Sequence, residues 1–160
     1  QVAAAVSDLS DERRALAADL LETMYDAPGI GLAAPQVGVA ERLIVVDCVK
    51  DEGIAPRPLI MFNPEVIAAS DRTSVYEEGC LSLPDQYAEV ERPDSIRVRY
   101  LDENNQIQEL DAEGLLATCI QHEIDHLDGI LFVDHISGLK RGMIMRKLTK
   151  LKKQDVKAGA

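Results

Sequence analysis

The 160-residue sequence predicts an α+β fold, with mostly antiparallel short sheets around a central helix and a further helix towards each end of the chain. Three observations carry this. Apolar residues recur at helical spacing in widely separated segments. Between them lie short runs rich in β-branched residues and bounded by turn residues. Strands and helices do not alternate regularly, and there are no repeats, so a parallel βαβ sheet is not expected.

In chain order, residues 8–25 read as the first helix. Asp8 or Ser10 can cap it, and Leu16, Ala17, Leu20, Leu21 and Met24 fall on one face. Pro28-Gly29 ends it, and GIGLAAPQVG (29–38) follows as a glycine-punctuated loop. RLIVVDCV (42–49) reads as a buried strand, and residues 51–58 as a loop. Residues 59–62 and 65–68 look like two short strands either side of Asn63-Pro64. EEGCLSLP (77–84) reads as turn-rich. IRVRYL (96–101) alternates apolar and polar residues, DENNQ (102–106) is a hairpin turn, and residues 107–110 form the return strand. Asp111 can cap a helix over roughly 112–128, which Gly129 ends. Ser137 can cap a last, basic helix over about 138–154.

The length fits one domain, residues 1–160, with a sizeable core. Composition, 46% apolar and 28% charged, is that of a globular protein, with no apolar run long enough for a membrane and no signal-peptide pattern. Three cysteines, an odd and low number, argue against a disulfide framework and suit a reducing cytosol. The net charge of −11 is uneven: residues 140–160 carry eight lysines and arginines against Asp155, a net +7, which leaves −18 on residues 1–139. A basic tail on an acidic body suggests an anionic partner for the tail.

QHEIDHLDG (121–129) holds two of the three histidines. On a helix, His122 and His126 project side by side and can reach one metal ion, while Glu123 lies close enough to act on a water molecule as general base. A catalytic metal site usually has three protein ligands and an open position. The extended protease pattern HExxHxxGxxH fails, because Phe132 stands where its third histidine belongs, and no glutamate follows Glu123. Cys48, inside an apolar run, reads as a small core residue. Cys119, one turn before His122 on the same helix, reads as packing, or as lining the site. Cys80, in Glu78-Gly79-Cys80-Leu81-Ser82, is the best third ligand, because glycine frees the backbone there and no apolar run surrounds it. A Cys/His/His set suits zinc or ferrous iron equally.

GIGLAAPQVG (29–38), EGCLSLP (78–84) and QHEIDHLDG (121–129) resemble, in order and spacing, the three signature motifs of bacterial peptide deformylases, and the likeness extends across most of the chain. The resemblance implies a cytoplasmic hydrolase that removes the N-terminal formyl group from formyl-methionine of nascent polypeptides. It implies one divalent metal ion per chain, Fe2+ in the cell, with Ni2+, Co2+ or Zn2+ as substitutes. By position, the implied ligands are Cys80, His122 and His126, and the implied general acid/base is Glu123. Gln36 and the Leu81 backbone N–H are implied to hold the developing oxyanion. Gly29 and Gly31 let an extended peptide lie close, and Ile30, Leu115, Thr118 and Cys119 match the lining of the methionine pocket. For Leu115 and Cys119, simple core packing is the competing reading. Glu78 and Arg92 match positions that support the cysteine loop.

There are departures. Tyr87 stands where some members have an arginine, which removes one expected contact to the peptide. Members usually begin with a short strand and a Pro-Asp turn, whereas this chain opens at Gln1 within that region, so the N-terminal strand is expected to be missing. The family's C-terminal helix docks on the ribosome, and the basic 138–154 segment is expected to do so through ribosomal RNA phosphates. The glycine loop lacks G-x-G-x-x-G spacing, since Ala34 replaces the third glycine, so no nucleotide cofactor is expected, and no membrane partner. Two rival readings remain: an HExxH metallopeptidase, and a non-catalytic, metal-stabilised ribosome-binding domain.

Overall fold

The computed structural model describes residues 2–27, 29–49, 57–80 and 83–130, and of residues 79–80 and 83–88 the backbone alone. The expected basic helix over 138–154 lies outside the described residues, as do Leu81 and Ser82. The order is α1 (Asp11–Asp26), β1 (Gly31–Ala33), a 3₁₀ turn (Ala34–Val37), β2 (Leu43–Val46), β3 (Leu59–Ala69), β4 (Thr73–Cys80), β5 (Leu83–Pro93), β6 (Ser95–Leu101), β7 (Ile107–Glu113) and α2 (Gly114–Leu127). Five strands form one sheet in the order β1-β2-β3-β6-β7, and β4 and β5 form a separate hairpin. Every strand pair is antiparallel, as the α+β expectation requires.

The continuous apolar run Leu43–Val46 is buried on both faces of β2. Ile44 and Val46 pack with Ala117, Ile120, Ile124 and Leu127 of α2. Leu43 and Val45 pack with Ala17, Leu20 and Met24 of α1. The two helices therefore cover opposite faces of the sheet, and alternation of side chains along β2 sorts its residues between them. Each fully buried aliphatic side chain contributes about 1.5–3 kcal/mol of transfer free energy.

Helix α1 starts three residues later than the expected 8, because Ser10 is the cap: its hydroxyl oxygen accepts from Arg13 N–H at 3.2 Å. The two short strands expected around Asn63-Pro64 are one strand, β3, with a register shift between Phe62 and Glu65. Pro64 has no N–H for the ladder, and the irregularity at Asn63, whose φ is +50°, accommodates it. The Asn63 side chain in turn accepts from Val6 N–H at 2.7 Å and donates to Val6 O at 2.9 Å. The Ala3 N–H donates to Leu127 O at 2.7 Å, so the N-terminal residues are tied to both helical and sheet elements.

Two expectations need larger correction. The segment 77–84 is not mainly turn: Glu77–Cys80 complete β4, and an 11-residue β5 begins at Leu83. Strand β5 escapes sequence reading because its inward positions are Val90 and Arg92, so an arginine interrupts the apolar alternation. Asp111 does not cap α2. It lies in β7, which runs directly into the helix through Glu113 at the cap position and Gly114, whose φ is +59°. Gly129, with φ +75°, follows the helix end as expected.

Candidate metal centre

Helix α2 places His122, Glu123 and His126 together, each no more than 9% exposed. Candidate ligand atoms from all three lie within 4.8 Å of one another. His122 Nε2 and His126 Nε2 face each other at 3.2 Å, with the rings edge-on at 74°. Two ligands about 2.1 Å from a tetrahedral ion stand about 3.4 Å apart, so this pair fits a shared divalent cation. Glu123 Oε1 is 3.8 Å from His122 Nε2 and 3.9 Å from His126 Nε2, beside the convergence point rather than in it.

The histidine orientation is set from β4. Glu78 Oε1 lies 2.7 Å from His122 Nδ1, which turns Nε2 towards His126. Arg92 of β5 grips the same carboxylate with both Nε (2.7 Å to Oε2) and Nη2 (2.9 Å to Oε1). The Arg92 Nη1 donates to Asp125 Oδ2 at 2.8 Å, returning the network to α2. Burial pushes the Glu78 carboxyl up, but the hydrogen bonds from His122 and Arg92 and their charges bring it below the ordinary glutamate value. Glu78 is thus a charged acceptor that orients a histidine. Asp125, inside the HEIDH segment, was not singled out by sequence, since nothing local marks it as the partner of a residue 33 positions away.

From the other side, β1 approaches α2 closely. A Cβ on Gly31 would lie 2.9 Å from Glu123 Cγ and 3.0 Å from Cys119 Sγ. The glycine therefore makes room for the helix side chains. The Gly29 N–H donates to Met24 O at 2.9 Å and closes the end of α1. The Gln36 Oε1 accepts from Ala33 N–H at 2.8 Å, which fixes its amide plane.

The remaining expected residues fall as follows. Cys119 is buried and its Sγ donates to Ile30 O at 3.5 Å, so these two meet. Contact with the Cys48 thiol, then burial, then the Glu123 and Glu78 carboxylates hold the Cys119 thiol well above the usual cysteine range. Thr118 is buried, and its Oγ1 has no hydrogen-bond partner among the described residues. Leu115 is 41% exposed, so the core-packing alternative fails for it and holds for Cys119. Cys80 ends β4 with its backbone paired to Leu83; its side chain lies outside what is described.

An antiparallel α+β scaffold holding two helix-borne histidines, an adjacent buried acid and a carboxylate behind the first histidine defines a site of the metal-dependent hydrolase class. Residues 1–142 match the model of the family described as "Polypeptide deformylase". The chain is 58% identical over 153 residues to the peptide deformylase of Rhizobium meliloti (strain 1021), covering 96% of this chain and 87% of that one. Its fold matches a crystal structure of peptide deformylase from Ehrlichia chaffeensis with a TM-score of 0.90 and 34% identity, over 97% of this chain and 91% of the other. A structure from the same organism in complex with actinonin matches with a TM-score of 0.87 and 38% identity, over 93% and 88% of the two chains. The chain belongs to the polypeptide deformylase family. It is an enzyme, a hydrolase that removes the N-formyl group from nascent peptides.

Proposed function

We propose that residues 1–160 form a single catalytic domain that binds one divalent ion, Fe2+ in the cell, through Cys80, His122 and His126. It would work in the cytoplasm on peptides beginning with formyl-methionine. The observation that carries the ligand set is the 3.2 Å approach of two histidine Nε2 atoms, with Glu78 holding the Nδ1 of one. Strand β4 brings Glu78 to His122, and Cys80 ends that strand two residues further on. Ni2+, Co2+ and Zn2+ suit the same donor set.

When bound, the ion supplies Lewis acidity, polarising the formyl oxygen and lowering the pKa of water. Glu123 takes the proton of the attacking water and delivers it to the leaving amine nitrogen, so that formate and a free amino terminus result. The Gln36 amide, with its oxygen engaged by Ala33 N–H, presents its N–H2 end to the developing oxyanion, and the Leu81 N–H is the second donor. Gly29 and Gly31 admit the substrate backbone, while Ile30, Leu115, Thr118 and Cys119 receive the methionine side chain. The exposure of Leu115 suits the pocket mouth. The basic segment over 138–154 contacts ribosomal RNA phosphates near the emerging peptide, a contact that weakens with salt.

The test is formate release from formyl-Met-Ala-Ser by protein loaded anaerobically with iron, in parallel with nickel and with a chelator. Release that follows the metal supports the assignment. Release undiminished in chelated, metal-free protein overturns it.

A further inference from the structure

We propose that Cys48 and Cys119 form an oxidisable dithiol, which a hydroperoxide converts to a disulfide tying the end of β2 to α2 beside Glu123. Both are free cysteines. Cys48 stands two residues past β2 and packs against the core cluster that contains Cys119. The two thiols are within hydrogen-bonding reach of each other. Their placement is fixed by one carbonyl: Ile30 O accepts from Asp47 N–H at 2.8 Å and from Cys119 Sγ at 3.5 Å. Strand pairing thus delivers the residue next to Cys48, and α2 delivers Cys119, to the same acceptor. These residues are 71 positions apart in sequence, so only the fold makes them neighbours.

Exposure orders the steps. Cys48 is half-buried and Cys119 is 6% exposed, so the oxidant reaches Cys48 first. The Cys48 sulfur attacks a peroxide oxygen, the O–O bond breaks, and a sulfenic acid forms with release of water. The Cys119 sulfur then attacks the Cys48 sulfur. The S–S bond forms, the S–O bond breaks, and a second water leaves with the Cys119 proton. Two thiols lose two electrons, and one hydrogen peroxide becomes two waters. In a reducing compartment such a pair is closed transiently and reopened by dithiol reductants.

Closing the pair matters because the space is confined. Cys119 Sγ and the Glu123 side chain already fill the volume that a Cβ on Gly31 would occupy. Pulling Sγ to an S–S distance of about 2.05 Å from its partner moves it within that space. The consequence for catalysis rests on the reading that Cys119 lines the methionine pocket. There the expected effect is a rise in KM of about tenfold, the scale of a one-methylene change of fit.

The experiment treats the metal-loaded full chain with hydrogen peroxide, alkylates remaining thiols, and maps peptides by mass. The expected result is a Cys48–Cys119 cross-linked pair, two hydrogens lighter than the dithiol and reversed by reductant. Cys48→Ser and Cys48→Ala should abolish it. Both thiols remaining alkylatable, oxidation stopping at sulfinic acid, or pairing with Cys80 instead would overturn the proposal. In kinetics, a reversible KM rise in the unaltered chain and none in the Cys48 variants supports the consequence. A disulfide with unchanged KM leaves the dithiol standing and removes Cys119 from the pocket.

Discussion

Glu78 Oε1 sits 2.7 Å from His122 Nδ1, although the two residues are 44 positions apart and belong to a hairpin and a helix. The same carboxylate is held at both oxygens by Arg92. One acid therefore orients a histidine and neutralises a buried cation.

Replacing Glu78 should damage both tasks. Glu78→Gln keeps the shape and loses the charge, and is expected to weaken metal affinity by about 10–100-fold. Glu78→Ala leaves the Arg92 guanidinium buried with Asp125 as its remaining carboxylate partner and should cost about 3–5 kcal/mol of stability. Chelator competition measures the first, and denaturant unfolding the second. Unchanged metal affinity in Glu78→Gln would remove the orienting role.

Glu123 is assigned to proton transfer and not to ligation. Glu123→Gln is therefore expected to keep its metal and to lose about 10²–10⁴ in kcat. Formate release together with metal content decides the matter. Loss of metal on substitution would instead make Glu123 a ligand.

Gly31 is tested by one added methyl. A Cβ at 2.9 Å from Glu123 Cγ forces the helix side chains to move, so Gly31→Ala should destabilise by about 1–3 kcal/mol and lower kcat together with stability. Thermal unfolding and turnover on the same preparation would check it.

Tyr25 and Asp47 link α1 to the segment after β2, with the phenol donating to Asp47 Oδ2. Burial, then the Asp47 hydrogen bond and charge, raise the phenol from the ordinary 10.0 to about 12. Because the folded value is the higher one, this contribution is fully present below pH 10 and is lost as pH rises through about 12. Phenolate absorbance should therefore show one of the four tyrosines ionising late. Tyr25→Phe should remove that late step and cost about 1–3 kcal/mol, leaving Asp47 buried without its phenolic donor.

Sequence alone determined the local features. The 3.6-residue period of 8–25 and 112–128 marked both described helices, the apolar run at 43–46 marked a doubly buried strand, and the i, i+4 histidines with Glu123 marked the metal helix. These are legible because the residues that cooperate lie within one turn or one strand of each other. Tertiary structure alone decided the β4–β5 hairpin, whose inward Arg92 hides its periodicity, and the Glu78–Arg92–Asp125 support behind His122. It alone brought Cys48 to Cys119. The reason is physical. A buried charge or thiol is tolerated only where its partner arrives from another element, and which elements meet is set by the packing of two helices on one sheet, not by any neighbouring residue.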